Sequence, residues 1–142
     1  MNSKSLTLGA VALGTLFALA SPASAEKLSM KVSLSPASEV PPNSSPGTGS
    51  ADVTFDTATK LLTWKVTYSG LTGPATMAHF HGPGEVGKNA PVVVPIPNAA
   101  SGVDGSATLN DAQAADLLAG KYYINVHTDA NKGGEIRGQV TK

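Results

Sequence analysis

Ala51-Asp52-Val53-Thr54-Phe55-Asp56-Thr57-Ala58-Thr59-Lys60-Leu61-Leu62-Thr63-Trp64-Lys65-Val66-Thr67-Tyr68 is the stretch that decides the class of this fold. Ala51, Val53 and Phe55 alternate with Asp52 and Thr54, a polar run from Asp56 to Lys60 interrupts, and Leu62, Trp64, Val66 and Tyr68 resume the alternation. Successive side chains of a strand point to opposite faces, so this pattern predicts a hairpin with one face buried and the other wet.

Working outward, Leu28, Met30, Val32 and Leu34 alternate with Ser29, Lys31 and Ser33 and predict another half-buried strand. Pro36 to Gly49, rich in Pro, Ser, Asn and Gly, can join no central strand and reads as a loop. Thr76 to His81, Gly105 to Leu109, Tyr122 to His127 and Ile136 to Val140 read as further short strands, the last two joined by a turn from Asp129 to Gly134. Val92 to Pro97 is β-branched, but Pro95 and Pro97 confine it to a sheet edge or a covering loop. One helix is expected over Asp111 to Ala119, capped by Asn110 or Asp111 and stopped by Gly120, with Ala112, Ala115, Leu118 and Ala119 as its apolar stripe. Seven or eight short strands with one short helix predict an all-β fold, an antiparallel Greek-key sandwich or flattened barrel.

The first 25 residues read as an address. Lys4 supplies the positive region, Leu6 to Ala20 the apolar run and Ala23-Ser24-Ala25 the small-x-small cleavage pattern, so residues 1–25 are expected to be a signal peptide and 26–142 a single secreted or periplasmic domain. No second apolar run approaches the ~20 residues that span a bilayer, so no membrane attachment is expected once the signal is removed. Export usually brings disulfides, yet the chain has no cysteine, and packing and sheet hydrogen bonds have to hold it together. Ten Lys and Arg balance ten Asp and Glu, and losing Lys4 leaves a slight negative excess. That charge gives no electrostatic reason to bind nucleic acid or anionic lipid.

Chemistry converges on the histidines, of which there are three. His79 and His81 leave one strand on the same face, and a neighbouring strand carrying His127 would complete a triangle of imidazole nitrogens able to hold a transition metal ion. Tyr123, Asn125 and His127 form the more polar face of their strand, which predicts a solvent-reachable pocket for His127 rather than a core position. Imidazoles with no obligatory carboxylate suit copper first and zinc second. Met77 shares the face of His79 and His81, where a thioether would favour Cu(I), although core packing is its expected role. Arg137, the sole arginine, is expected either to guide an anion to this site or to pair with Glu135 or Asp129, both read as solvated residues flanking the last turn. There is no thiol, no Gly-x-Ser-x-Gly elbow, and no helix after Gly133-Gly134 to hold a phosphate.

In Thr63 to Leu71, Ala78-His79-Phe80-His81-Gly82-Pro83, Ala90 to Val94, Leu117 to Thr128 and Gly133 to Gln139 the chain resembles the CHRD family, named for the domain repeated in chordin. The resemblance implies a secreted β domain. A looser similarity is to Cu/Zn superoxide dismutases, whose copper site uses a His-x-His strand pair, a later strand histidine and a downstream arginine. His79, His81, His127 and Arg137 fall in that order. The similarity implies an immunoglobulin-like or dismutase-like sandwich, but the bridging histidine, the zinc ligand set and the disulfide pair are missing. Three functions are therefore expected in turn: copper binding through the three histidines, a non-metal extracellular binding or adhesion module, and a dismutase-like redox enzyme. No protein partner is specified by any motif.

Overall fold

The structure is a computed structural model that describes residues 24–142, so the expected signal segment, up to residue 23, lies outside the described residues. In chain order the elements are β1 (Lys27–Leu34), a 3-10 turn (Pro36–Ser38), β2 (Thr48–Asp56), β3 (Leu61–Ser69), β4 (Ala75–His81), β5 (Val92–Ile96), β6 (Asp104–Thr108), α1 (Asp111–Leu118), β7 (Tyr122–Thr128) and β8 (Ile136–Val140). They form two four-stranded antiparallel sheets, ordered β1-β2-β3-β6 and β5-β4-β7-β8. The chain changes sheet between β3 and β4, between β5 and β6 and again between β6 and β7, as in Greek-key folds. It is a sandwich rather than a closed barrel, with one bridge, Ser35 to Arg137, tying the edges β1 and β8 at a corner. Gly138 makes that corner possible, since a Cβ there would strike the Ser33 carbonyl oxygen of β1.

The period-two pattern works as expected in the first sheet. Met30, Val32, Leu34, Ala51, Val53, Phe55, Leu62, Trp64 and Val66 all point into the core, and Trp64 meets Phe80 of the opposite sheet edge to face at 5.2 Å. Their outward neighbours stay polar, with Lys31 paired to Asp52 and Thr54 bonded to Thr63. The Pro-containing segment β5 sits at a sheet edge, where its missing N–H is harmless.

α1 begins with a capping box in which Asn110 accepts from the Gln113 amide and Gln113 accepts from the Asn110 amide, and Gly120 follows its end at φ 73°. Its buried face differs from the expected stripe. Ala114 and Leu117 pack on the core, whereas Ala112, Ala115, Leu118 and Ala119 are exposed. In an alanine-rich helix two offset stripes are nearly equally apolar, and the large Leu117 side chain, anchored by the position of the cap, settles which one turns inward.

The second sheet departs from the half-wet pattern in a way that creates the site. All seven residues of β7 are buried, on both faces. The inner face packs on the core, and the outer face is roofed by the loops that follow β1, β4 and β7. Gln139 donates to the Gly84 and Gly120 carbonyls, Arg137 to the Lys88 carbonyl and Asn89, and Asn89 to the Val40 carbonyl, which pins that roof.

Candidate metal centre

Strand pairing lays a grid of polar side chains under the roof. His79 of β4 faces Asn125 of β7, which faces Arg137 of β8; His81 faces Tyr123, which faces Gln139; and Met77 faces His127. Alternation along β4 and β7 therefore puts all three histidines on the outer face, as expected, and the adjacency of the two strands brings them together. One ring nitrogen from each lies within 4.8 Å of the others. An ion with bonds of 2.0–2.1 Å wants such nitrogens about 3.3–3.6 Å apart, so small ring rotations suffice to meet it.

The other ring nitrogens decide which lone pairs are free. His127 Nδ1 donates to the Lys132 carbonyl at 2.8 Å, and His81 Nδ1 donates to the Ala90 carbonyl at 2.8 Å. Each bond fixes a tautomer and leaves Nε2 as the lone-pair nitrogen. His79 Nδ1 lies 3.2 Å from His127 Nε2. His81 Nε2 is buried and makes no hydrogen bond of good geometry, with the Asn125 side chain beside it. An orphaned imidazole lone pair of this kind is costly in a finished structure unless something accepts it. His79 Nδ1, His81 Nε2 and His127 Nε2 thus suit a metal ion, with carbonyl acceptors behind two of the rings holding them in place. Burial, followed by the neighbouring His127 and His81, pushes the His79 imidazole below its usual range; burial does the same to His81 against the opposing pull of Ala90. Both rings are held in the neutral state that ligation needs.

His127 is 6% exposed, which corrects the expectation of a solvent-reachable position. The polar face was read correctly, but the Asp129–Gly134 turn folds over it through Lys132, and sequence pattern alone says nothing of what covers a face. His79 and His81 are half-buried and keep the site open on the β4 side. Met77 is not core: it is 49% exposed, at the outer end of the histidine row.

Arg137 is 2% exposed and pairs with neither Glu135 nor Asp129. Its guanidinium lies 3.4 Å from the centre of the Tyr123 ring, while the His81 ring stacks on Tyr123 at 4.7 Å with the planes 1° apart. Since β7 runs between β4 and β8, the tyrosine is sandwiched between histidine and arginine, and its hydroxyl bonds to the same Ala90 that holds His81. Asn125 and Tyr123 were visible as the polar face of β7. Glu39 was not, because nothing in a proline-rich loop marks a residue for burial. Its carboxyl is 5% exposed, beside Asn125, and Gly134 takes φ 128° and lacks the Cβ that would collide with both.

Burial raises Glu39 from 4.5 to about 7, against the attraction of Arg137 and the hydrogen bond from Asn125. The folded state therefore keeps a proton that the unfolded chain loses above 4.5, and stability falls as pH rises through that window to about 7. Glu39→Gln, which mimics the protonated form, is expected to flatten this fall and to add up to about 3 kcal/mol at pH 8. Urea unfolding at pH 5 and pH 8 measures it. Destabilisation at pH 8 would instead mean that Arg137 relies on a charged Glu39.

Glu135 corrects a further expectation. It is 0% exposed, and Ser45 Oγ (2.5 Å), Thr72 N (2.7 Å), Thr72 Oγ1 (2.8 Å), Thr128 Oγ1 (2.5 Å) and Asn131 Nδ2 (3.2 Å) all donate to its carboxylate. Burial pushes this carboxyl up, but the hydrogen bonds from Ser45, Thr128 and Thr72 together win and hold it at about 2, below the usual 4.5. It is an anchor for three loops. Asp129 is exposed, as expected.

Comparison with known families places this grid. The family model of the CHRD domain matches residues 30–140, which takes in β2 to β8, most of β1 and all three histidines. The chain is a member of the CHRD domain family. No curated protein and no solved structure matches it significantly. The CHRD match covers β4 and β7 with their connecting segments, so the histidine cluster lies within the domain and not on an appended piece. Among the described residues no helix of this CHRD domain is long and apolar enough to cross a membrane.

Proposed function

We propose that this CHRD-domain protein is exported and binds a transition metal ion, copper first, through His79, His81 and His127. The observation that carries the reading is the convergence of three imidazoles of which two are locked by backbone carbonyls into the ligating tautomer, one of them with a buried lone pair that makes no hydrogen bond of good geometry. Nitrogen ligands without a carboxylate favour copper or zinc over magnesium or calcium. Export is supported by the signal-like pattern of residues 1–25.

Binding, storage or transfer fits better than rapid redox turnover. In a dismutase-like enzyme Arg137 would guide an anion, but its guanidinium is engaged by Asn89, the Lys88 carbonyl and the Tyr123 ring. Isothermal titration of metal-free protein tests the reading. Stoichiometric uptake of Cu(II) is expected, with loss of about hundredfold or more in affinity when His79 and His127 are replaced by alanine. No uptake of Cu(I), Cu(II) or Zn(II), or an affinity untouched by those replacements, sinks it.

A further inference from the structure

Three of the four positions around a tetrahedral ion are supplied by the histidines, and the fourth lies on whichever side the protein leaves open. The Lys132 turn backs His127, Ala90 backs His81, and the Tyr123–Arg137 stack closes the β8 side. What remains is the outer end of β4 and the β5 edge, where the exposed Pro95 faces His79 but offers no ligand side chain. At the outer end of β4, Met77 faces His127 directly across the ladder and stands two residues before His79 on the same face. Facing residues in antiparallel strands hold their Cβ atoms about 4.5–5.5 Å apart, and residues two apart on a strand lie about 7 Å apart. The register slips between Ala75 and Met77, so a bulge ends the regular ladder beside this residue, a place where strands often re-aim a side chain.

From this placement we infer that the Met77 thioether is the fourth ligand of the site and selects the monovalent state, Cu(I). The inference rests on the histidine reading. An unbranched side chain with three rotatable bonds, left half in water on an otherwise polar face, has the freedom to bring its sulfur over the ion. Thioether sulfur is a soft donor that favours Cu(I), while Zn(II) is served by the nitrogens and water. The ion would then be held by residues of two neighbouring strands, His79, His81 and Met77 from β4 and His127 from β7. An open end at Met77 also suits handing the ion to another soft ligand.

The test loads the metal-free protein with Cu(I) under anaerobic conditions, reads its X-ray absorption fine structure, and measures affinity by competition with a chromogenic Cu(I) chelator. One sulfur neighbour at about 2.3 Å is expected. Met77→Leu should remove that neighbour and weaken Cu(I) binding by about tenfold or more, with Zn(II) affinity changed by less than about twofold. Because Met77 is exposed, leucine leaves the fold intact, and an unchanged circular dichroism spectrum checks this. Wild-type protein that binds Cu(I) with only nitrogen and oxygen neighbours, or a leucine variant of unchanged Cu(I) affinity, overturns the thioether while leaving the histidines standing. Protein that takes up no copper in either oxidation state overturns both.

Discussion

Replacing Glu135 with alanine is expected to cost about 3 kcal/mol of folding free energy, because it removes the acceptor shared by the buried Thr128 hydroxyl and by the part-buried donors of Ser45, Thr72 and Asn131. The carboxylate is bonded by Ser45 of the loop before β2, Thr72 of the β3–β4 connection, and Thr128 and Asn131 of the β7–β8 turn. These segments come from separate parts of the chain, and this group ties them together. Glu135→Gln keeps the volume but puts an amide where an anion accepts five donors, so an intermediate loss is expected. The pH dependence has a definite sign. The folded pKa of about 2 lies below the usual 4.5, so the stabilisation is complete above 4.5 and is lost as pH falls from 4.5 towards 2. Chemical unfolding of the wild type and both variants at pH 7 and pH 3 measures it. The anchor argument fails if the alanine variant is within about 0.5 kcal/mol of wild type at pH 7.

The affinity for copper should fall as the pH is lowered from 7 into the acid range. Ligation needs a lone pair on each imidazole, so every ring that has taken up a proton must release it before the ion can bind, and each such ring contributes up to about tenfold per pH unit. His79 and His81 are both pushed below the usual 6.5, by burial first and then by their neighbours, so their share of the loss sets in below that value. The affinity is accordingly expected to be flat above pH 7 and to steepen downward. Chelator competition across that range gives the curve. A profile that stays flat from pH 7 down to pH 4 would point to ligands other than histidine. Thermal unfolding offers a second readout: ion at a hundred times its dissociation constant adds about 2.7 kcal/mol to a protein that binds only when folded.

Most of the architecture was legible because strand alternation is a local property. Leu62, Trp64 and Val66 had to share a face whatever their surroundings, and so did His79 and His81. The prolines of β5 announced an edge, and Asn110 with Gln113 announced a helix start. Apart from the inward face of α1, what escaped was a matter of cover. His127 and Glu135 look like solvated residues near a turn, and they are buried because loops from distant parts of the chain fold over them. Met77 has the sequence signature of a core residue and is exposed because its face of β4 runs out beyond the roof. Glu39 sits in a loop of Pro, Ser and Asn where no periodicity exists to be read.

Sequence by itself determined the antiparallel all-β class and the CHRD family and singled out three imidazoles as candidate ion ligands, since periodicity and residue type are properties of neighbours along the chain, whereas the choice of a two-sheet sandwich over a flattened barrel came from the tertiary structure. Only the tertiary structure decided that β4 lies against β7, which ring nitrogens are tied to Ala90 and Lys132, and which side of the cluster stays open at Met77. Those depend on contacts between segments tens of residues apart, where loop closure and packing, not local pattern, set the outcome.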